Sequence, residues 1–316
     1  MTGYTEKIRE AAKRLLTEKK VDCFIGFRKG SVPMVNYPVI VSDPAKADEL
    51  IWDANCAMNL ANYVIGRKDK VGILATGCVA RNLVTLVQEN QIKREQLYII
   101  GLPCSGMIDK SQVIDKYGDV EIVSVIDKGD TFAVEAGDKT DVLKKADFLS
   151  RNCKICAHHN PIEYDEIIGD KVADPETYIK PEDVKKSESM SDAERWEFFE
   201  KTFSPCIRCY ACRNACPMCY CPTCFVDESR PQWVGKSSDE TDTLTFHFLR
   251  ALHLAGRCTD CGACERACPI DIPVRYLTSR LNADAKEIYG FESGLDPKMR
   301  PLLDHYKLDD LNDFFK

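Results

Sequence analysis

The sequence lacks a long uninterrupted apolar run, a positive net charge and an apolar amino-terminal segment. Its nearest apolar stretch, TLTFHFLRALHLAG (243–256), is shorter than the about 18 residues of a membrane span and contains His247 and Arg250. A net charge of −7 provides no basic surface for nucleic acid. The amino terminus, MTGYTEKIREAAKRLLTEKK, is charged and unlike a signal peptide. We therefore expect a cytoplasmic protein with no membrane span and no nucleic-acid partner.

Recognisable catalytic side chains are also lacking, because no nucleophile lies beside a base and no proton-transfer pair stands out. His158 and His159 adjoin Cys156, but a histidine pair in AHHNP is more typical of an exposed loop. No catalytic residue is assigned. Cysteine, by contrast, is abundant, with 17 among 316 residues. In a reducing compartment so many thiols are more typical of metal ligands than of disulfides.

The first half of the chain has the pattern of an α/β domain. Short runs rich in β-branched residues predict strands at VDCFIGF, YPVIVSD, KVGILAT, QLYIIGL and VEIVSVI. Apolar residues three and four apart predict helices at DANCAMNLANYVIG and VARNLVTLVQENQI. Such alternation predicts a mostly parallel sheet covered by helices. We expect an α/β domain at 1–156, a linker and helix at 157–200, and a helix-rich ferredoxin-like domain at 201–316.

Two cysteine runs carry the clearest chemical signal. CIRCYACRNACP and CTDCGACERACP, beginning at Cys206 and Cys258, both match the four-cysteine run of two-cluster bacterial ferredoxins. In that pattern three thiolates hold one 4Fe–4S cube and the fourth reaches the other cube. The predicted ligands are therefore Cys206, Cys209, Cys212 and Cys268 for cluster 1, and Cys258, Cys261, Cys264 and Cys216 for cluster 2. The alternative is structural zinc, which usually takes two separated C-x-x-C pairs and fits two complete runs badly.

A third set of thiols is predicted from the topology of the sheet. Cys78 follows one predicted strand and Cys104 follows the next, so a right-handed crossover places both at the same sheet edge. That carboxyl edge is where open α/β sheets bind ligands. Cys153 and Cys156, in RNCKIC, follow the predicted sheet and complete a third four-thiol set. The alternative is two buried structural cysteines and an unrelated pair.

The cysteines outside these sets have no settled role. Cys23 lies in an apolar strand and is predicted to be a small buried residue. Cys56, on a predicted helix, is either a core residue or a ligand. The trio Cys219, Cys221 and Cys224 could replace a ligand, form a further site or pack against the clusters.

The chain resembles the beta subunits of the coenzyme F-420 hydrogenase/dehydrogenase family from roughly residue 20 to its end. The motifs that carry the resemblance are CIRCYACRNACPMCYC, CTDCGACERACPIDIPVRYL and KEIYGF, with TGC, GLPC and NCKIC at the third set. The likeness is greatest to formate dehydrogenase beta subunits that associate with heterodisulfide reductase. It implies that the third set holds a cluster, that FAD binds in the α/β domain, and that the partners are a formate dehydrogenase or hydrogenase subunit and a heterodisulfide-reductase-like subunit.

One feature departs from that family. Its members usually open with a Gly-Gly-containing loop before a helix, whereas this chain has no glycine between Gly3 and Gly26. The turn at 27–33, FRKGSVP, is the nearest candidate for phosphate contact. We therefore predict an electron-transfer subunit with three 4Fe–4S clusters. The alternatives are an FAD-containing subunit that itself acts on coenzyme F-420 or a nicotinamide, and a non-enzymatic redox or iron sensor.

Overall fold

The computed structural model describes residues 3–304, 306 and 308. Residues 309–316, the end of the predicted ferredoxin-like domain, lie outside the described residues, as do residues 1–2, 305 and 307. None of the helices within this described part has both the length and the apolar character needed to cross a bilayer.

Helices and strands alternate in the first half, and helices predominate in the second. The α-helices are α1 (Tyr4–Thr17), α2 (Gly77–Gln88), α3 (Lys110–Tyr117), α4 (Arg151–Lys154), α5 (Glu182–Glu188), α6 (Asp192–Phe203), α7 (Ala211–Asn214), α8 (Glu240–His253), α9 (Ala263–Arg266) and α10 (Arg275–Tyr289). The strands are β1 (Cys23–Lys29), β2 (Asn36–Val41), β3 (Leu50–Ile51), β4 (Val71–Ala75), β5 (Leu97–Gly101), β6 (Ile122–Asp127), β7 (Thr131–Ala136), β8 (Lys139–Lys144) and β9 (Glu166–Ile167).

The main sheet has a parallel centre and antiparallel additions at one side. Its strand order is β2-β1-β4-β5-β9, with β3 also paired to β1. The β1/β4, β4/β5 and β5/β9 pairs are parallel, whereas β2 and β3 run antiparallel to β1. All five residues of β4 are buried, as is usual for a parallel strand that is covered on both faces. The predicted α/β sheet, rich in parallel pairs, is therefore present.

Two predicted elements differ from the structure. VEIVSVI forms β6, but in a separate antiparallel sheet with β7 and β8, because left-handed glycines at Gly129 and Gly137 turn the chain directly back. DANCAMNLANYVIG is mostly loop, with only a 3-10 helix at Leu60–Tyr63. Its polar side chains bond to nearby backbone instead: Asp53 accepts from the N–H of Asn55 at 2.7 Å.

The range 157–200 also contributes to the sheet, since β9 pairs in parallel with β5 although this range was predicted as linker and helix. Farther along, the predicted helix is present as α6, with Ser191 as its N-cap and a reciprocal bond from Ser191 to Glu194. The second half has its own hydrophobic core, in which Phe203 of α6 packs with Phe246 of α8. This core surrounds several of the cysteines described next.

Candidate metal centre

The two cysteine runs adopt the same local backbone. In the first run Arg208 and Tyr210 have positive φ, and in the second Asp260 and Gly262 occupy the equivalent positions with positive φ. Each left-handed residue at Tyr210 or Gly262 is followed by one short helix, α7 or α9. The sequence repeat is therefore also a structural repeat.

Backbone amides point at the first thiol of each run. The N–H of Arg208 donates to Cys206 Sγ at 3.3 Å, and the N–H of Asp260 donates to Cys258 Sγ at 3.4 Å. A hydrogen bond to sulfur favours the thiolate, which is the form that binds metals. The repeated left-handed turn is what brings these amides to the sulfur atoms.

The thiols of the first run lie beside Cys268 of the second. Burial, with the nearby charges of Cys268 and Cys209, raises the pKa of Cys206. Burial also raises the pKa of Cys212, with contributions from Cys206, Cys268 and Cys209. The four predicted ligands of cluster 1 are thus neighbours in the structure.

The second run gathers around Cys216 of the first. Burial raises the pKa of Cys258 to about 12, with contributions from Cys261 and Cys216. Burial, followed by the charges of Cys216 and Cys261, raises the pKa of Cys264 well above its ordinary value. The fold therefore exchanges the fourth cysteines between the runs, which is the arrangement expected for cross-linked ferredoxin cubes.

The third set meets at the carboxyl edge of the main sheet. Cys78 lies in the first turn of α2, directly after β4, and Cys104 follows β5 by a few residues. Burial and then the charges of Cys153, Cys78 and Cys156 raise the pKa of Cys104. Backbone amides also reach this set, since the N–H of Gly106 donates to Cys104 Sγ at 3.3 Å.

A close crossing of two backbone segments brings the RNCKIC thiols to that edge. The N–H of Cys104 donates to the carbonyl oxygen of His159 at 2.9 Å, so the segment after Cys156 runs beside the end of β5. A Cβ atom on Gly77 would lie 2.1 Å from the same segment, at the carbonyl oxygen of His158. Only glycine permits this approach.

Gly77→Ala is therefore expected to disturb the third set selectively. The new methyl group must push the backbone at His158 away, with a cost of about 1–3 kcal/mol for an overpacked site. We expect weaker metal retention at the third set and unchanged retention at the other two, measured as iron per chain and by electron paramagnetic resonance (EPR). Gly26→Ala is the matched control, because its Cβ would meet side-chain ends rather than backbone, namely Leu50 Cδ2 at 2.8 Å and Leu74 Cδ1 at 3.3 Å. Equal iron retention in both variants would contradict this role for Gly77.

The third set adjoins the second. After burial, the charge of Cys261 is the largest influence that raises the pKa of Cys78, to about 12. A cavity of about 120 Å³ lies at this junction, bordered by Cys78, Cys104, Cys153, Cys258 and Cys261 together with Phe27, Trp52 and Met58. In the described ranges no three Cys, His or carboxylate side chains are close enough to hold one metal ion. A cube instead presents four irons to its thiolates.

The cavity beside the third set and the turn FRKGSVP do not form a cradle that fits a flavin. The cavity is smaller than the about 300–1,000 Å³ of typical small-molecule sites. In the turn FRKGSVP, a Cβ on Gly30 would lie 1.9 Å from the carbonyl oxygen of Val35. The glycine is therefore needed by the hairpin between β1 and β2, and this turn supplies no evidence of a phosphate site.

The remaining cysteines have different surroundings. Cys219 is hydrogen-bonded to Cys216, which lowers the pKa of Cys219. Cys224 bonds to Arg213, and Cys221 is exposed. Cys219 is thus close to the ligand sets, while Cys221 faces solvent.

The two remaining cysteines of the α/β domain, Cys23 and Cys56, are buried, and Cys56 borders the same cavity as the third set. Arg67 Nη2 donates to Cys23 Sγ at 3.2 Å, and burial raises the pKa of Cys23 to about 11. Cys56 lies in a loop rather than on the predicted helix, and Asn36 donates to its sulfur at 3.4 Å. Both act as core residues in this arrangement.

His158 and His159 are half-buried rather than exposed as expected. His158 Nε2 pairs with Glu292 Oε2 at 2.8 Å, and His159 Nε2 lies 3.0 Å from the carbonyl oxygen of Cys156. Burial tends to raise the pKa of Glu292, but its bonds to His158 and Lys286 outweigh it and lower the pKa to about 2. These contacts hold the segment after Cys156 in place.

Comparison with known proteins supports the iron–sulfur interpretation. Residues 202–272 match the Fer4_8 family, described as a 4Fe-4S dicluster domain. The chain is 25% identical to an F420-dependent formate dehydrogenase subunit beta from Methanocaldococcus jannaschii, over 92% of each chain. It is 24% identical to an F420-dependent formate dehydrogenase 1 subunit beta from Methanococcus maripaludis, over 92% of this chain and 91% of the relative. These relatives confirm the predicted resemblance.

A solved structure also shows a partial likeness, namely the F420-reducing [NiFe] hydrogenase complex from Methanosarcina barkeri in a xenon-derivatised form. The match has 13% identity and a TM-score of 0.38, and covers 48% of this chain and 59% of that chain.

Proposed function

We propose that the protein is the iron–sulfur beta subunit of an oxidoreductase complex in the cytoplasm, of the F420-dependent formate dehydrogenase or hydrogenase type. It would relay single electrons between a catalytic subunit and a heterodisulfide-reductase-like partner. The relatives that cover nearly the whole chain are formate dehydrogenase beta subunits, which supports a place in such a complex. The observation that carries the proposal is an unbroken series of three thiol sets.

This series runs through the interface of the two halves of the chain. At one end Cys104 lies at the carboxyl edge of the sheet, and Cys78 of the same set adjoins Cys261 of the second set. The second and first sets are linked because each set combines three cysteines of one run with the fourth cysteine of the other run. Bound 4Fe–4S cubes supply one-electron redox chemistry, so three neighbouring sets are suited to a relay.

The chain's own residues prepare these sets in two ways. Most of these cysteines are half-buried, and the interior around them includes aromatic rings such as Phe246. Backbone amides donate to sulfur at the first thiol of each run and at Cys104. Burial and hydrogen bonds to sulfur are the factors by which a protein sets cluster potentials.

The two ends of the series differ in exposure, and this suggests different partners. Cys209 of the first set is exposed, and the adjacent Ile207 exposes 58% of its surface. We assign this end to a protein partner, because an exposed apolar side chain beside a ligand thiol suits a protein contact. The opposite end borders the cavity described above and lies within the α/β domain.

A second candidate function follows from the names of the relatives. Both are F420-dependent, so the α/β end of the series could receive electrons from coenzyme F-420 through an FAD. The cavity at the α/β end of the series is too small for a flavin, and we therefore place no step at such a site. A flavin count decides between this candidate and a flavin-free relay.

The proposed function is tested by purifying the protein from its native source under anaerobic conditions. We expect about twelve irons and about twelve inorganic sulfides per chain, as three cubes require. We also expect a formate dehydrogenase or hydrogenase subunit to co-purify, together with a heterodisulfide-reductase-like subunit. Released flavin at about one per chain would favour the second candidate.

Two outcomes would refute the relay. A colourless, oxygen-protected sample with about one or two zincs would show structural zinc instead of cubes. A chain with full iron content that binds no oxidoreductase subunit, but changes partners when iron is removed, would instead indicate a sensor. The iron, zinc and subunit analyses together separate these cases.

A further inference from the structure

Arg250 is a buried arginine that lies between the two cysteine runs. It is on α8, and only 3% of its surface is exposed. Its Nη2 donates to the carbonyl oxygen of Cys212 at 3.1 Å, whereas its Nε is buried without a hydrogen-bond partner among the described residues. Arginine is almost never fully buried unless it is paired. The charge of Arg250 therefore needs compensation from its surroundings.

Carboxylates compensate other buried arginines of this chain. Arg275 pairs with Asp260 at 2.6 Å, and Arg81 lies 4.0 Å from Glu292. Among the residues that the structure describes, Arg250 forms no such ion pair with a carboxylate. Because Arg250 has no carboxylate partner there, we expect a different kind of negative group beside it.

The groups around Arg250 are thiols from both sets. The thiols whose charges act on Arg250 are those of Cys264, Cys216, Cys212 and Cys219, and Cys219, which lies in neither set, is also a hydrogen-bond partner of Arg250. Cys212 belongs to the first set, whereas Cys264 and Cys216 belong to the second. The guanidinium thus faces the two sets at once, from a helix that packs in the core between them.

We propose that Arg250 is a counter-cation shared by the two clusters of the dicluster domain, and that it raises the reduction potential of both. This inference rests on the proposed function, because it requires a cluster at each set. A cube held by four thiolates is an anion, and one added electron makes it more negative. A fixed positive charge in a buried site stabilises the reduced form more than the oxidised form, because charge interactions are strong where water is excluded.

A purely structural role makes a different prediction. If Arg250 served only to hold the Cys212 carbonyl, its loss would change stability and leave the potentials of retained clusters unchanged. A charge role predicts instead that lysine at this position preserves the potentials although it cannot reproduce the planar guanidinium contact. The two roles are therefore separable by substitution.

The test is a redox titration of the full chain with all clusters present, using dithionite as the one-electron donor and EPR as the readout. In Arg250→Met, the ratio of reduced to oxidised cluster at a fixed potential should fall at least about tenfold for both dicluster cubes, which equals about 59 mV for a one-electron couple. The cluster of the third set should not shift. Arg250→Lys should retain most of the wild-type ratio. Arg280→Met is the control, because Arg280 is a half-buried arginine of the same half of the chain that pairs with the carboxylates of Glu188 and Asp284.

Full iron content with unchanged potentials in Arg250→Met would overturn the proposal, as would an equal shift in Arg250→Lys. If the methionine variant does not retain iron, the reduction potentials of Arg250→Gln and Arg250→Lys are compared instead. The proposal then requires a lower potential in the glutamine variant than in the lysine variant, and equal potentials would overturn it. A wild-type chain without iron would refute the proposed function itself, so the two failures can be told apart.

Discussion

Replacing Cys258 with serine is expected to remove one cluster, or about four of about twelve irons per chain. Cys258 is the first thiol of the second run, and the amide of Asp260 donates to its sulfur. Because its set lies between the other two, its loss should also interrupt electron transfer along the series. The measurement combines iron content, EPR of the reduced protein and reduction of one end of the series by a donor at the other.

The control is Cys23→Ser, since Cys23 is a buried thiol that bonds to Arg67 and lies in no ligand set. We expect this variant to keep its iron and its electron transfer. The α/β domain of Cys258→Ser should remain folded, which circular dichroism can check, because nearly all buried residues of the core around β4 and β5 come from the α/β domain and Cys258 only packs against that core. Full iron content in Cys258→Ser would contradict the assignment of Cys258 as a ligand.

Local patterns explain which parts of the structure were predictable from sequence. The two cysteine runs are compact, and their spacing dictates a tight loop, so their shared backbone follows from a short stretch of chain. Strands β4 and β5 were equally clear because they are continuous apolar runs. The helix predicted at 53–66 is wrong because apolar spacing alone ignores the local bonds of Asp53 and Asn59 to nearby backbone.

Other features depend on contacts between distant residues. The sequence places Arg250 in an apolar helix, where it is a charge that interrupts a hydrophobic run. Only the fold shows that this arginine is buried and faces thiols from both runs. Gly77 is similar, because its need to be glycine arises from a segment about 80 residues later in the chain. The apolar pattern of a helix or strand does not predict such a close approach between two distant backbone segments.

Glu89 connects the two halves of the chain next to the second set. Its Oε1 accepts from Arg257 Nε at 2.5 Å, and its Oε2 accepts from Arg257 Nη2 at 2.8 Å and from the Tyr220 hydroxyl at 2.6 Å. Burial lowers the pKa of Arg257, and the bond to Glu89 more than reverses this. Since Arg257 immediately precedes Cys258, the carboxylate positions the second set against α2.

Glu89→Ala is therefore expected to weaken the contact between the halves by about 2–5 kcal/mol, because it leaves a largely buried arginine without its partner. Hydrogen exchange at the amides of Arg257 and Cys258, which bond to the Leu254 carbonyl, should become at least about 30-fold faster. Electron transfer between the third and second sets should slow, while iron content stays unchanged. Glu163→Ala is the control, because it removes a Glu–Arg pair, with Arg94, that lies beside the main sheet and not between the two halves of the chain. If both variants exchange these amides at the same rate, the docking of the second set does not depend on Glu89.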